Sequence, residues 1–249
     1  MSIDIAIIDS GINSAHPHVQ GVAGGVSFDF NGKGRLIVKD RFEDRIGHGT
    51  AIAGIFRKAL PSARIWALKV FQDDLTASSR LLLAGLDWAI KANMTLIHLS
   101  LGTEREDDHR PIEKLCQEAH QKGLIITAAA RECDDTVYPA RVDTVIATYW
   151  DKACKPGTIT YHPDHPIQFG AWGHPRPLPG LDQRHNFCGS SFAAAHVSAM
   201  AAKVLASDNT ADWTLVKQTL IDEAIVWQCG NAHDDNTPSH PTIQLKPYQ

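Results

Sequence analysis

Short apolar runs rich in β-branched residues alternate along this chain with stretches whose apolar positions recur every three or four residues. Ile3 to Ile8, Ala63 to Val70, Thr95 to Leu99, Leu124 to Ala128 and Thr144 to Thr148 have the length and composition of strands buried on both faces. Between them, His48 to Arg57 predicts a helix. Leu82, Gly85, Leu86, Ala89 and Ile90 share one helical face, and Ile112, Leu115, Cys116 and Ala119 share another, with Gly123 suited to the helix exit. Gly189 leads into a helix of small residues running to about Ala206, and Asp212 is placed to cap a last helix through about Ala224. This alternation predicts an α/β fold with a mostly parallel central sheet flanked by helices. From Gly230 to Gln249 the sequence turns polar and reads as an irregular tail, an edge strand being one reading of its end.

Composition narrows the class. With 249 residues, 43% hydrophobic and 21% charged, the chain can bury one large core and is not disordered. A formal charge of −4, from 24 basic and 28 acidic side chains, gives no basic footprint for nucleic acid. No apolar run approaches the roughly 20 residues of a membrane span. The most apolar long stretch, Ala193 to Ala206, is broken by His196, Ser198 and Lys203. Met1-Ser2-Ile3-Asp4 lacks the basic and apolar regions of a signal peptide, so with Met1 as the native start the expected location is cytoplasmic. Five scattered cysteines without a CxxC pair fit that reading better than a disulfide framework.

Three segments carry candidate chemistry. Asp9 follows the first apolar run, where α/β folds place active sites, although Asp before Ser10-Gly11 is also an ordinary turn former. His48, in Gly47-His48-Gly49-Thr50, opens a helix of small residues able to pack closely, or simply starts it. Ser191, in Cys188-Gly189-Ser190-Ser191-Phe192-Ala193, lies at a helix N-terminus, where backbone N–H groups and the helix dipole face a developing oxyanion. The plainer reading is that Ser190 or Ser191 caps the helix.

Taken together, the chain order Asp, His, Ser is that of subtilisin and not of chymotrypsin or the α/β-hydrolases. The sequence resembles the subtilisin-like serine peptidases. Their Asp-[ST]-Gly, His-Gly-Thr and Gly-[TS]-Ser-Met-Ala boxes match the segments around Asp9, His48 and Ser191. Ala67-Leu68-Lys69-Val70, Asp87-Trp88-Ala89-Ile90, Leu99-Ser100-Leu101-Gly102, Tyr138-Pro139-Ala140 and Val145-Ile146-Ala147 extend the likeness from about Ile3 to Ala224. The resemblance implies a three-layer subtilisin-like fold, a peptidase domain over 1–229 and a tail over 230–249. It also implies a serine endopeptidase in which Ser191 is nucleophile, His48 base and Asp9 orienting carboxylate. Ser100, Leu101 and Gly102 match the strand that pairs with an extended peptide, and Ala129, Ala130 and Arg131 match the border of the specificity pocket. The expected partner is a peptide or protein substrate, with no cofactor and no metal; oligomeric state is not readable.

The likeness breaks at one functional position. The family's second oxyanion donor is an Asn after an Ala-Ala-Gly run, and here Ala128-Ala129-Ala130 is followed by Arg131 and Glu132. The oxyanion candidates are therefore the Ser191 backbone together with Glu132 or Arg131. An ionised Glu132 would repel the developing charge by roughly 4 kcal/mol at about 4 Å and an effective dielectric near 20. Protonation of Glu132, neutralisation or donation by Arg131, or a rebuilt loop would each relieve this. With Arg131 either filling the pocket or lining it with positive charge, small or acidic residues are expected before the cleaved bond.

Gly54 to Ala63 connects the histidine helix directly to the next strand with no Asp or Asn, so the calcium loop of many family members is not expected, nor is a prosegment ahead of Met1. His162-Pro163-Asp164-His165 has metal-ligand residue types but reads as a polar loop, since no further ligand cluster is evident. Cys133 and Cys188 flank matched segments and read as bystander thiols, with redox sensitivity as the alternative. The acidic run Glu104 to Asp108 reads as a solvated loop and helix start that could also favour basic substrate residues. Two rival functions stand beside endopeptidase: an acyl-transfer macrocyclase, and a catalytically impaired subtilase fold that binds peptides.

Overall fold

A computed structural model describes residues 2–226. The polar tail and the proposed domain boundary at 229/230 lie outside the described residues. Among the described residues, ten strands form one sheet: β1 (Asp4–Asp9), β2 (Gly24–Phe30), β3 (Leu36–Lys39), β4 (Arg64–Lys69), β5 (Leu96–Leu99), β6 (Ile125–Ala129), β7 (Val145–Trp150), β8 (Ile159–Tyr161), β9 (Phe169–Ala171) and β10 (Ile225–Val226). Their order is β10-β8-β9-β7-β6-β5-β1-β4-β2-β3. The centre, from β2 through β4, β1, β5, β6 and β7, is parallel, while β2–β3 and β8–β9 pair antiparallel.

Burial alternates along the strands and sets the layers. Ile5 and Ile7 of β1 face α1 (His48–Ala59), α4 (Ser190–Ser207) and α5 (Trp213–Glu223). Ala6 and Ile8 face α2 (Ser79–Lys91) and α3 (Glu106–Gln121). Both faces are covered, which is why β1 reads as a nearly continuous apolar run. Phe56 and Phe192 on one side and Leu82 and Leu86 on the other are fully buried, each contributing about 1.5–3 kcal/mol. The expected three-layer α/β architecture is thus present.

Strand register brings the carboxyl ends of the central strands to one edge. Asp9 ends β1, Ser100-Leu101-Gly102 follow β5, and Ala130-Arg131 follow β6. Strand β2 escapes a hydrophobic-pattern reading because it opens on Gly24-Gly25. A Cβ at Gly24 would meet the Trp66 ring at 2.7 Å, and one at Gly25 would meet the Phe42 ring at 2.8 Å, so close packing against β4 excludes side chains there.

Candidate active site

The carboxylate of Asp9 is fully buried at the end of β1. His48 Nδ1 lies 2.9 Å from Asp9 Oδ1 and 3.0 Å from Oδ2, and the Ser10 N–H donates to Oδ1 at 2.6 Å. Burial alone would raise the Asp9 pKa. The charge and hydrogen bond of His48, with hydrogen bonds from Ser10 and Ser100, outweigh it and hold the carboxyl below its ordinary value.

His48 is the first residue of α1, and the start of that helix is locked to the end of β1. Gly47 sits at φ 91°, and Gly49 approaches so closely that a Cβ would strike the Gly11 carbonyl and lie 3.1 Å from Asp9 Oδ1. The open N–H groups of the first turn are capped from outside the helix. Ser10 Oγ accepts from Gly49 N at 2.9 Å. Asp44 accepts from Ile46 N, Gly47 N and Ser10 Oγ through Oδ1, each at 2.9 Å, and from Thr50 N at 2.9 Å and Thr50 Oγ1 at 2.6 Å through Oδ2. Sequence reasoning missed Asp44; its signal was an acidic residue four positions ahead of a helix-opening His with no capping side chain at Gly47.

Ser191 is the second residue of α4, after Gly189 at φ 142°. Its hydroxyl is buried and donates to the Ser100 carbonyl at 3.4 Å. The next residue, Phe192, holds its ring centroid 5.0 Å from that of His48, so the α4 start is packed against the imidazole. Ser190 is engaged elsewhere: its Oγ accepts from Trp150 N at 3.2 Å and donates to the Arg131 carbonyl at 3.5 Å. The structure therefore separates a serine bonded to the Ser100 carbonyl, one residue ahead of the ring packed on His48, from one that ties α4 to β7.

A second histidine lies beneath this pair. His98, fully buried in β5, has Nε2 2.9 Å from Ser100 Oγ and Nδ1 2.9 Å from Ser198 Oγ. Ser198 in turn reaches Thr127 Oγ1 and the Ala194 carbonyl, both at 2.6 Å. A neutral imidazole, with one donor and one acceptor nitrogen, matches a hydroxyl at each end. Burial drives its pKa down to about 4, with the Asp9 charge opposing and His48 adding to the fall. The only sequence signal was a His inside an apolar strand.

The peptide-strand candidates Ser100, Leu101 and Gly102 run on into an antiparallel bridge between Thr103 and Tyr138. A Cβ at Gly102 would lie 2.7 Å from the Tyr138 carbonyl and strike Val137, so this approach requires glycine. Ala129 and Ala130 are buried at the end of β6, and Ala130 N donates to Thr148 O at 2.9 Å.

Arg131 behaves differently from the expected positive pocket lining. Its backbone N–H donates to Asp135 Oδ2 at 2.6 Å, its guanidinium donates to both oxygens of the same buried carboxylate, and Nη2 also pairs with Glu104. Hydrogen bonding to Asp135 and then Glu104 outweighs burial and raises the Arg131 pKa. Burial would raise Asp135, but the hydrogen bonds and charge of Arg131 hold it low. The guanidinium charge is thus taken up by two carboxylates and is not directed at Glu132, whose side chain is exposed.

A buried carboxylate–imidazole pair thus lies on the carboxyl edge of a three-layer α/β sheet, with a serine at the N-terminus of the helix packed on that imidazole, residue types able to support nucleophilic chemistry at a hydroxyl. The chain belongs to the Subtilase family, whose sequence profile matches residues 2–148 and 173–243. It is 29% identical over 214 residues to a thermostable alkaline protease of Halalkalibacterium halodurans, covering 80% of this chain and 56% of that protein. It is 27% identical over 238 residues to subtilisin E of Bacillus subtilis, covering 86% and 57% respectively. The chain thus spans little more than half the length of these two relatives. Among solved structures, a lanthipeptide protease superposes with a TM-score of 0.67 at 16% identity over 98% of this chain and 84% of that one. Sphericase superposes with a TM-score of 0.64 at 24% identity over 89% and 84%.

Proposed function

We propose that this chain is a serine endopeptidase working through Ser191, His48 and Asp9. The observation that carries the reading is the bidentate approach of His48 Nδ1 to buried Asp9, at 2.9 and 3.0 Å, with Ser191 at the start of the helix that packs on the imidazole. His48 Nε2 takes the Ser191 proton as Oγ attacks the substrate carbonyl, and Asp9 holds the tautomer and stabilises the imidazolium. His48 then protonates the departing amine, and water hydrolyses the acyl-enzyme by the reverse proton path. The Ser191 hydroxyl donates to the Ser100 carbonyl at 3.4 Å, so attack requires it to turn from that carbonyl to His48.

The α4 first turn directs backbone N–H groups toward the developing oxyanion. Extended substrate lies along Ser100, Leu101 and Gly102, and the pocket border runs through Ala129, Ala130 and Arg131. Arg131, Asp135 and Glu104 together carry one net negative charge, so small or basic residues before the cleaved bond suit this border better than acidic ones. We further propose a cytoplasmic enzyme that processes particular peptides; four free cysteines among the described residues support a reducing compartment. The second reading, a peptide-binding subtilase fold without turnover, is favoured by exposed Glu132 standing where the family places its Asn.

Labelling with a fluorophosphonate, followed by peptide mapping, tests the proposal. Native protein and Ser190→Ala should be labelled at Ser191, and Ser191→Ala should lose both labelling and cleavage. Folded native protein that takes no label would overturn the endopeptidase reading in favour of the binding one.

A further inference from the structure

The polar loop after β8 and the thiol after β6, unrelated in sequence, meet in space. Cys133, Asp134 and His165 each offer one ligand atom, and the three atoms lie within 4.8 Å of one another. Asp134 Oδ1 and His165 Nδ1 are 3.1 Å apart. Two donors bound tetrahedrally to zinc at about 2.0 Å stand roughly 3.3 Å apart, so this pair already has the required spacing. The Cys133 sulfur, which takes a longer bond of about 2.3 Å, lies within 4.8 Å of both.

Backbone contacts hold the two segments together without any ion. The Ile167 N–H donates to the Cys133 carbonyl at 3.0 Å, and His162 N donates to Gln168 O at 2.8 Å. His165 N donates to His162 O at 3.2 Å, and Gln168 Nε2 donates to Pro163 O at 3.2 Å. The local field favours a cation. Arg131, the nearest base along the chain, is taken by Asp135 and Glu104.

We propose that Cys133, Asp134 and His165 form a binding site for a thiophilic divalent cation, best matched by Zn²⁺, with water in the fourth position. A sulfur, an imidazole nitrogen and one carboxylate oxygen suit zinc, whereas calcium and magnesium require oxygen cages. On binding, the Cys133 thiol releases its proton to solvent, and His165 ligates through Nδ1 with its proton on Nε2. The ion staples the loop 131–135 to the β8–β9 turn. That loop carries Arg131 and Glu132, the residues at the edge of the proposed cleft, so the cation acts as a brace on the active-site rim. No catalytic step depends on it, and the site stands or falls independently of the peptidase reading.

Metal-free full-length protein titrated with Zn²⁺ by calorimetry tests the site, with Co²⁺ as a spectroscopic substitute. One equivalent should bind, Co²⁺ should show a thiolate charge-transfer band, and Zn²⁺ should slow alkylation of Cys133. Cys133→Ser and His165→Ala, both at partly exposed positions and checked for unchanged circular dichroism, should each weaken binding by at least about tenfold. Cys188→Ser and His48→Ala should leave it intact. Unchanged affinity in both ligand variants, or a Co²⁺ spectrum without the thiolate band, would overturn the proposal.

Discussion

Replacing His98 should make the fold more tolerant of acid. In the folded protein its pKa lies at about 4, because a charged imidazole would sit fully buried between Ser100, Ser198, Thr127 and the Phe56 ring. In the unfolded chain it titrates near 6.5. Between these two values the unfolded chain carries a proton at this position that the folded protein refuses. Stability linked to His98 is therefore intact above pH 6.5 and declines as the pH falls toward 4. At 1.36 kcal/mol per pH unit, the loss reaches about 3 kcal/mol at pH 4. Equilibrium unfolding in urea, on a Ser191→Ala background to prevent self-digestion, measures it. His98→Asn costs some stability at neutral pH through lost hydrogen bonds but removes this titration. The gap between the two proteins should narrow by about 3 kcal/mol from neutral pH to pH 4. Asp135, whose lowered pKa also costs stability in acid, acts in both proteins and does not close the gap. Stabilities falling in parallel over the whole range would refute the reasoning.

Two further predictions concern the loops around the site. Asp44→Ala leaves the first turn of α1 and the Ser10 hydroxyl without their common acceptor, and should cost about 2–4 kcal/mol in chemical denaturation and lower kcat as His48 loses its anchor. Glu132→Asn should raise kcat at alkaline pH by about tenfold or more by supplying an ionisation-independent donor; a kcat/KM profile governed by one pKa near that of His, with no gain from Asn, would remove Glu132 from the oxyanion site.

What the sequence disclosed and what it hid divides along one physical line. Strand β1 and helices α2, α4 and α5 were legible because burial on two faces, or on one helical stripe, writes itself into consecutive positions. Strands β2 and β3 were not. One begins with glycines dictated by Trp66 and Phe42, and the other exposes Leu36 and Val38 at the sheet edge. Asp9, His48 and Ser191 stand out only jointly: each alone reads as a turn former, a helix start or a cap, and it is their chain order with the boxes around them that makes them candidates. His98 was missed although it is as buried as Asp9: its partner Ser198 is 100 residues away, and a histidine in an apolar run shows that a partner must exist without showing which. Arg131 marks the intermediate case. The position of a cation in place of glycine was visible, but not that its guanidinium pairs with Asp135 and Glu104. His165 and Cys133 follow the same rule, their meeting being set by the Ile167–Cys133 backbone bond and not by either local motif. A buried or paired polar group states its need locally and satisfies it through the fold, so residue types are readable where their assignments are not.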